Sequence, residues 1–243
     1  MSLYRDEAIV LRTQKLGEAD RIITLLTREH GRIRGVAKGV RRTKSKFGAR
    51  LEPGSHVDIQ LYTGRTFDTV TQVESIFNYG EALTDDYSRW TIAGAILEAA
   101  ERFTSHEHEP ALQEFKLVTG AMKALADHKY DPSMILDAYL LRSLAVGGYA
   151  PSLTNCSKCD ASGPHRYFSL VGGGLVCADC RPSASATPAP ETLKLMSDLI
   201  SGNWESAMAS ELRNRREANG LIAAYLQWHL ERGLRSLQLV ERA

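Results

Sequence analysis

The spacing of apolar residues changes once along this chain, near residue 80, and that change limits the fold class. Before it lie short runs of strand-forming residues; the clearest covers 56–62, where Val57, Ile59 and Leu61 alternate with polar residues. Five such runs predict a five-stranded barrel over residues 1–80. Five is the strand number of the oligonucleotide-binding (OB) fold, although strand number alone equally allows an SH3-like barrel.

After residue 82 apolar residues recur every three or four positions, which is the period of a helix. The predicted starts of the first three helices are Thr84 or Asp85, then Pro110, then Asp131 followed by Pro132. A fourth helix is predicted to end at Gly202, and a last one to run from about residue 210 to Leu237. The chain is therefore expected to be α+β, with a helical domain over residues 81–243.

All four cysteines of the chain fall in two tight pairs, Cys156-x2-Cys159 and Cys177-x2-Cys180, with 17 residues between the pairs. This spacing is typical of zinc sites, because each pair turns two sulfurs to one side. Segments 166–170 and 174–177 are predicted to form hairpin strands, so we expect a zinc-ribbon module at about 153–182. Four thiolates fill a tetrahedral shell, so one structural Zn²⁺ is predicted. Four buried free thiols or a redox pair are the alternatives.

The knuckles differ in the residue that follows them. Asp160 follows the first pair and Arg181 follows the second, where glycine would ease a left-handed turn. Aspartate tolerates that conformation better than arginine does. We therefore expect the second knuckle to turn differently from the first.

Charge is distributed unevenly, because residues 1–50 carry a net charge of +8 within a chain of +1 overall. Between residues 32 and 50 there are eight basic residues and no acidic one. The predicted DNA-binding residues are Arg32, Arg34, Lys38, Arg41, Arg42, Lys44, Lys46 and Arg50. Such a cluster neutralises phosphates without reading sequence, whereas the simpler alternative is a solvated surface. Phe47 and Tyr62 are either base-stacking residues or, more simply, core or edge residues.

Motifs of common catalytic sites are absent from the sequence. It contains no phosphate-binding loop, dinucleotide fingerprint, nucleophile elbow or His-Glu-x-x-His. The segment from His106 to Glu109 is predicted to be an exposed turn. No apolar run is long enough to cross a membrane, and the charged N-terminus is unlike a signal peptide. We expect a cytoplasmic binding protein rather than an enzyme.

Taken in order, several segments resemble the RecO family of bacterial recombination mediators, and its actinobacterial members in particular. They are residues 16–21 (LGEADR), 26–31 (LTREHG), 36–42 (VAKGVRR), 51–53 (LEP), the four-cysteine module and 230–237 (LERGLRSL). One departure is Gly54, because relatives of this kind usually carry an aromatic residue after Leu-x-Pro.

The resemblance implies an OB barrel, a helical domain and an inserted zinc module. It also implies binding of single- and double-stranded DNA, annealing of complementary strands, and loading of RecA onto strands coated by single-strand-binding protein. RecR and the acidic C-terminal tail of single-strand-binding protein are the implied partners. Lys38, Arg41 and Arg42 lie where family members are expected to contact DNA and RecR.

A receptor for that acidic tail needs an apolar groove beside cations, and the last predicted helix offers one. The predicted partner-binding residues are Leu226, Leu230, Arg232, Leu234 and Arg235, with Leu237 on the same face. The simpler alternative is that these leucines are buried core. Two other functions stay open: a zinc-stabilised protein-interaction adaptor without intrinsic DNA activity, and a thiol redox enzyme.

Overall fold

The structure is a computed structural model that describes residues 2–230 and 233–240. It divides into two compact units, Met1–Lys129 and Tyr130–Ala243. The first unit holds a barrel followed by three helices, and the second holds four helices and a small hairpin among its described residues.

The strands of the first unit are β1 (Leu3–Leu16), β2 (Asp20–Thr27), β3 (Gly31–Ala37), β4 (Ser55–Tyr62) and β5 (Asp68–Asn78). They close into a barrel in the order β1-β2-β3-β5-β4, with β4 pairing again with β1. Neighbours are antiparallel except β3 and β5, which run parallel with Gly35 opposite Asp68. The five-stranded OB-type barrel predicted from the sequence is confirmed, and the parallel β3–β5 pair favours it over an SH3-like barrel.

The barrel core follows from strand alternation. In β4 the side chains of Val57, Ile59 and Leu61 are fully buried while their polar neighbours are partly exposed, so the predicted inward face is confirmed. The loop between β3 and β4 adds Phe47 and Leu51, which are 2% and 1% exposed and complete the same core. That loop is therefore held to the barrel by buried side chains at its C-terminal end.

Three helices follow the barrel in the first unit: α1 (Tyr79–Ala82), α2 (Tyr87–Phe103) and α3 (Leu112–Ala126). The predicted cap of α2 was wrong, because neither Thr84 nor Asp85 but Asp86 accepts the hydrogen bond from the Arg89 amide, at 3.0 Å. The start predicted at Pro110 was two residues too early. Ala111 has a non-helical conformation, and the helix begins only after it.

Gly54 lies where the barrel meets these helices. It has φ +82°, and a Cβ there would lie 3.1 Å from the Gly80 nitrogen. Its own amide donates to the Val10 carbonyl at 2.9 Å. This left-handed, closely packed position favours glycine, which gives a local reason for the departure from the family pattern.

The second unit contains α4 (Pro132–Val146), α5 (Pro190–Ser201), α6 (Trp204–Met208) and α7 (Leu212–His229). The predicted cap of α4 is confirmed: the Asp131 carboxylate accepts from the Ser133 amide at 2.9 Å, and Pro132 is the first helical residue. The predicted end of α5 is also confirmed, because Gly202 follows its last residue with φ +84°. The prediction that the last helix reaches Leu237 was wrong, because α7 ends at His229.

Helices α4 and α5 run in the same direction. Arg215 of α7 pairs with Asp131 at the start of α4, and Glu217 of α7 accepts a hydrogen bond from Thr192 at the start of α5. Near the other ends, Arg142 of α4 donates to the Leu199 carbonyl of α5 at 2.9 Å. Residues 147–189 connect these two helices. None of the helices in the described ranges is long and apolar enough to span a membrane.

Candidate metal centre and basic surface

The four cysteines come together at one point of the second unit. The ligand atoms of Cys156, Cys159, Cys177 and Cys180 all lie within 4.8 Å of one another, and the Sγ atoms of Cys159 and Cys177 are 3.8 Å apart. These sulfurs can hold a metal ion, and four thiolates are a donor set that suits a tetrahedral ion. No disulfide joins them, since all four are free thiols.

A short hairpin supports the cysteines. Strands β6 (Tyr167–Ser169) and β7 (Gly174–Val176) pair antiparallel, with Tyr167 opposite Val176, and Cys177 follows directly. The first knuckle closes through the Asp160 amide, which donates to the Cys156 carbonyl at 2.8 Å. Asp160 has φ +58° whereas Arg181 does not enter the left-handed region, so the two knuckles turn differently, as predicted.

Hydrogen bonds around the sulfurs shift the pKa values of these thiols in opposite directions. Backbone N–H groups, first that of Cys177 and then those of Cys159 and Lys158, lower the pKa of Cys156 to about 6. The pKa of Cys180 is instead raised to about 12, first by its hydrogen bond with the Cys177 sulfur and then by that with Cys159. Four thiolates this close repel one another, so a cation is needed to hold them deprotonated together.

The eight predicted DNA-binding residues fall into two groups by exposure. Six of them lie exposed between β3 and β4: Lys38, Arg41, Arg42, Lys44, Lys46 and Arg50. The other two, Arg32 and Arg34, lie on β3 itself and are partly buried. We call the exposed segment, residues 38–50, the basic loop.

Arg32 and Arg34 are engaged by the segment between α2 and α3. Arg32 donates to the Ser105 carbonyl at 2.6 Å, and the Glu107 carboxylate lies 2.5 Å from Arg34 Nε and 3.7 Å from an Arg32 nitrogen. The His108 amide donates to the Arg32 carbonyl, so this segment pairs with β3. Contact between these two arginines and DNA stays a prediction. It has less support than the predicted DNA contact of the six exposed basic residues.

Contacts with the β1–β2 turn and with β5 hold the basic loop in place. The Arg41 guanidinium donates to the Glu18 carbonyl at 2.8 Å, and the Gly39 amide donates to the Asp20 carboxylate at 2.7 Å. Lys46 donates to the Thr71 carbonyl at 2.8 Å. The two cations, Arg41 and Lys46, donate to backbone carbonyl oxygens and not to carboxylates, so their positive charge is not offset while the loop holds them in a defined arrangement.

The side chains of Lys38, Arg42 and Lys44 have no hydrogen-bond or ion-pair partner among the residues that the structure describes. The two aromatic candidates differ, because Phe47 is a buried core residue and Tyr62 is 45% exposed. Phe47 therefore cannot stack on a base in this conformation, whereas Tyr62 can.

A cavity of about 430 Å³ lies beside the end of α7. Leu226 and Gln227 of α7 and Gly233, Leu234 and Arg235 of the following segment line it. Leu226 and Leu234 are 1% and 4% exposed, so their main bodies belong to the core. Leu230 caps α7, and Arg232 lies outside the described residues. Of the predicted partner residues that are described, Leu226, Leu234 and Arg235 line the cavity and Leu230 does not, and they do not lie on one continuous helix.

Two protein-family models match this chain, one over the barrel and one over the part that follows it. The family model described as Recombination protein O N terminal matches residues 1–79, and Recombination protein O C terminal matches residues 84–238. The chain belongs to the RecO family. DNA repair protein RecO of Thermobifida fusca is 58% identical over 243 residues, covering 100% of both chains. Those of Streptomyces avermitilis and Streptomyces coelicolor are each 58% identical over 248 residues, again covering 100% of both chains.

Two RecO-like segments, residues 16–21 and 36–42, lie at the end of β3 where the basic loop begins, whereas residues 26–31 lie at its other end. Residues 16–21 make the β1–β2 turn, and residues 26–31 make the β2–β3 turn, where the buried Asp6 carboxylate accepts from the Glu29 amide at 3.1 Å. Glu107 is the residue near this surface that we did not predict. It stands in an acidic and histidine-rich turn, and the sequence carries no signal for its pairing with β3.

Proposed function

We propose that this RecO-family chain is a DNA-binding recombination mediator that works in DNA repair in the cytoplasm. In this role it anneals complementary single strands and, with RecR, helps load RecA onto strands coated by single-strand-binding protein. The observation that carries the proposal is the basic loop, with six exposed cations on an OB barrel. The name of the relatives, DNA repair protein RecO, supports it.

The arrangement of the loop suits a phosphate backbone rather than a base sequence. Its six cations are exposed within 13 residues of the chain, and the side chains of Lys38, Arg42 and Lys44 have no hydrogen-bond or ion-pair partner among the described residues. Binding then releases counterions from the DNA, which gives affinity that falls steeply with salt. A mediator that anneals strands of any sequence requires such sequence-independent contact.

The test is the double substitution Arg42→Ala with Lys44→Ala, which removes two charges that hold no other part of the protein. Single-strand binding should weaken about equally for any sequence, and the log–log salt slope should fall by roughly 1.4, or about 0.7 per lost phosphate contact. The matched control is Arg5→Ala with Arg28→Ala, because both arginines are on the barrel but pair with carboxylates at 2.6 Å and 2.9 Å. Equal effects of the two variants would contradict the proposal.

Annealing separates this proposal from the alternative of a protein-interaction adaptor. The purified chain alone should bind DNA and accelerate annealing of complementary naked strands. Addition of single-strand-binding protein should leave annealing intact if its acidic tail is captured. A chain that binds partners but neither binds nor anneals naked DNA would be the adaptor.

We propose zinc as the metal and a structural role for it. Four thiolates leave no open coordination position, so no water can be activated and no catalysis is expected there. Cys156, Cys159, Cys177 and Cys180 would hold the ion and fix the β6–β7 hairpin to the two knuckles. The absence of catalytic motifs agrees with a binding protein rather than an enzyme.

We propose the cavity beside α7 as the receptor for the acidic tail. Its apolar wall from Leu226 and Leu234 fits an apolar end group, and Arg235 supplies a cation for carboxylates. Capture of the tail would bring the mediator to coated DNA without competing with the basic loop for phosphates.

A further inference from the structure

The metal module carries two arginines on one aromatic ring. The guanidinium carbon of Arg181 lies 4.2 Å from the centroid of the Tyr167 ring, and that of Arg166 lies 5.3 Å from it. Both arginines are exposed and the tyrosine is half-buried. Stacking on a ring orients a guanidinium while leaving its edge N–H groups available to oxygen anions.

Neither arginine is used by the protein as an ion-pair partner. Among the described residues no carboxylate oxygen lies within 4.0 Å of either guanidinium, in contrast to Arg5 and Arg28 on the barrel. Lys158 in the first knuckle is also exposed and without such a partner. The module thus presents three cations without an ion-pair partner within 4.0 Å among the described residues, although Asp160 and Asp179 are exposed in the same module.

The metal centre fixes the position of this pair. Tyr167 lies in β6 opposite Val176, one residue before Cys177, and Arg181 directly follows Cys180. Tyr167 is therefore held by the hairpin and Arg181 by the second cysteine pair of the same small module. Two cations that are positioned in advance lose little freedom when a ligand binds.

A simpler role for these arginines would be to balance the negative charge of a four-thiolate metal centre. The groups that act on the sulfurs argue against it. Among the described residues no hydrogen bond joins the guanidinium group of Arg166 or Arg181 to a cysteine sulfur. The guanidinium groups stack on Tyr167 instead of donating to sulfur.

We propose that Arg166 and Arg181, oriented by Tyr167, form a second binding site for the phosphodiester backbone of single-stranded nucleic acid. It lies in a different compact unit from the basic loop and goes beyond the function proposed above. Guanidinium groups match phosphate oxygens in two-point hydrogen bonds, and adjacent cations on a rigid hairpin suit successive phosphates. An acidic peptide is the competing ligand that the experiment must exclude.

The experiment uses the full chain with its metal and a fluorescent oligo-deoxythymidine strand. Arg166→Gln with Arg181→Gln should lower the log–log salt slope by roughly 1.4. Between 50 and 200 mM salt the wild type should then lose about sevenfold more affinity than the variant does. The matched control is Lys194→Gln with Arg213→Gln, whose side chains are 65% and 74% exposed in the same unit and pair with acids. It should leave the slope unchanged.

Three readouts keep the outcomes distinct. Arg166→Lys with Arg181→Lys should restore most of the slope, because a point charge also neutralises phosphate, and zinc content should be equal in all variants. An unchanged slope in the glutamine variant, or a loss of zinc from it without any change in DNA binding, would overturn the proposal. Loss of binding to an acidic peptide with DNA binding retained would also overturn it.

DNA binding by the basic loop and DNA binding by the Arg166 and Arg181 site can each be disproved without disproving the other. If both sites bind one strand, the glutamine variant combined with Arg42→Ala and Lys44→Ala should have a slope reduced by roughly 2.8. A reduction caused by the basic-loop substitutions alone would leave the proposed function standing and remove the second site. A reduction caused by the module substitutions alone would leave the second site standing and remove the basic loop as a DNA-binding site.

Discussion

The Glu107 carboxylate lies 2.5 Å from the Nε atom of Arg34, and so neutralises a cation of the strand that leads into the basic loop. The same carboxylate is 3.7 Å from Arg32. An acidic residue that follows α2 in the chain thus limits how far the positive surface extends along β3.

Removing this carboxylate should strengthen DNA binding. In Glu107→Gln, Arg34 becomes available to a phosphate, so single-strand affinity should rise and the log–log salt slope should steepen by up to roughly 0.7. Titration of labelled strands at several salt concentrations measures both. Glu109→Gln is the control, because Glu109 is exposed in the same segment and contacts only His106 at 3.5 Å among the described ion pairs. Equal slopes in the two variants would mean that β3 does not reach the DNA.

The metal should be required by the second unit and not by the barrel. Protein purified without added metal should contain close to one zinc per chain by elemental analysis. Cys177→Ser should lose it and destabilise the hairpin module, because metal binding supplies much of the folding free energy of so small a module. Strand binding by the basic loop should persist. Ser162→Ala, an exposed change in the same module, should keep its zinc. A folded, fully active and metal-free wild type would rule the centre out.

Charge reversal beside α7 should separate tail capture from DNA binding. Arg235→Glu places a negative charge in the cavity that Leu226 and Leu234 line, so it should repel an acidic tail. Binding to naked strands should stay within twofold of wild type, while annealing of coated strands is lost. Arg213→Glu, a fully separate exposed change on α7, should preserve both activities. Loss of both activities in Arg235→Glu, or of neither, would argue against two surfaces.

Arg142 should matter for stability alone. It donates to the Leu199 carbonyl at 2.9 Å and 3.1 Å and to the Ile200 carbonyl at 3.2 Å, where α5 has no backbone donors left. Burial lowers the pKa of this guanidinium. Arg142→Met should destabilise the second unit by about 2–4 kcal/mol in urea unfolding, whereas the exposed Arg213→Met should cost under about 0.5 kcal/mol. Similar unfolding midpoints would show that water replaces these hydrogen bonds.

The features that could be predicted are those whose signal lies within a few residues. The alternation of Val57, Ile59 and Leu61, the cap of Asp131 with Pro132, and the cysteine pairs each have a local physical cause. The OB barrel and the candidate metal centre followed from them.

The features that could not be predicted depend on distant partners. Strand β5 continues past Val73 because its last residues pair with β4, as Asn78 does with Ser55. Glu107 reaches Arg34 across 73 positions of the sequence. The leucine spacing after Leu226 continues a helical period, yet the chain leaves the helix at His229 and Leu234 is buried by other contacts. Periodicity reports that a residue is buried and not which element carries it.

Parallel neighbouring helices cannot be joined by a tight turn, so the segment that contains the metal module serves as the crossover connection between α4 and α5. The connection from the end of α4 must return along α5, whose 12 residues, Pro190–Ser201, cover roughly 18 Å at 1.5 Å per residue. An extended crossing of that length takes about five residues at the least. Loss of the cysteines would therefore leave the need for this crossover unchanged, because it follows from the parallel direction of α4 and α5.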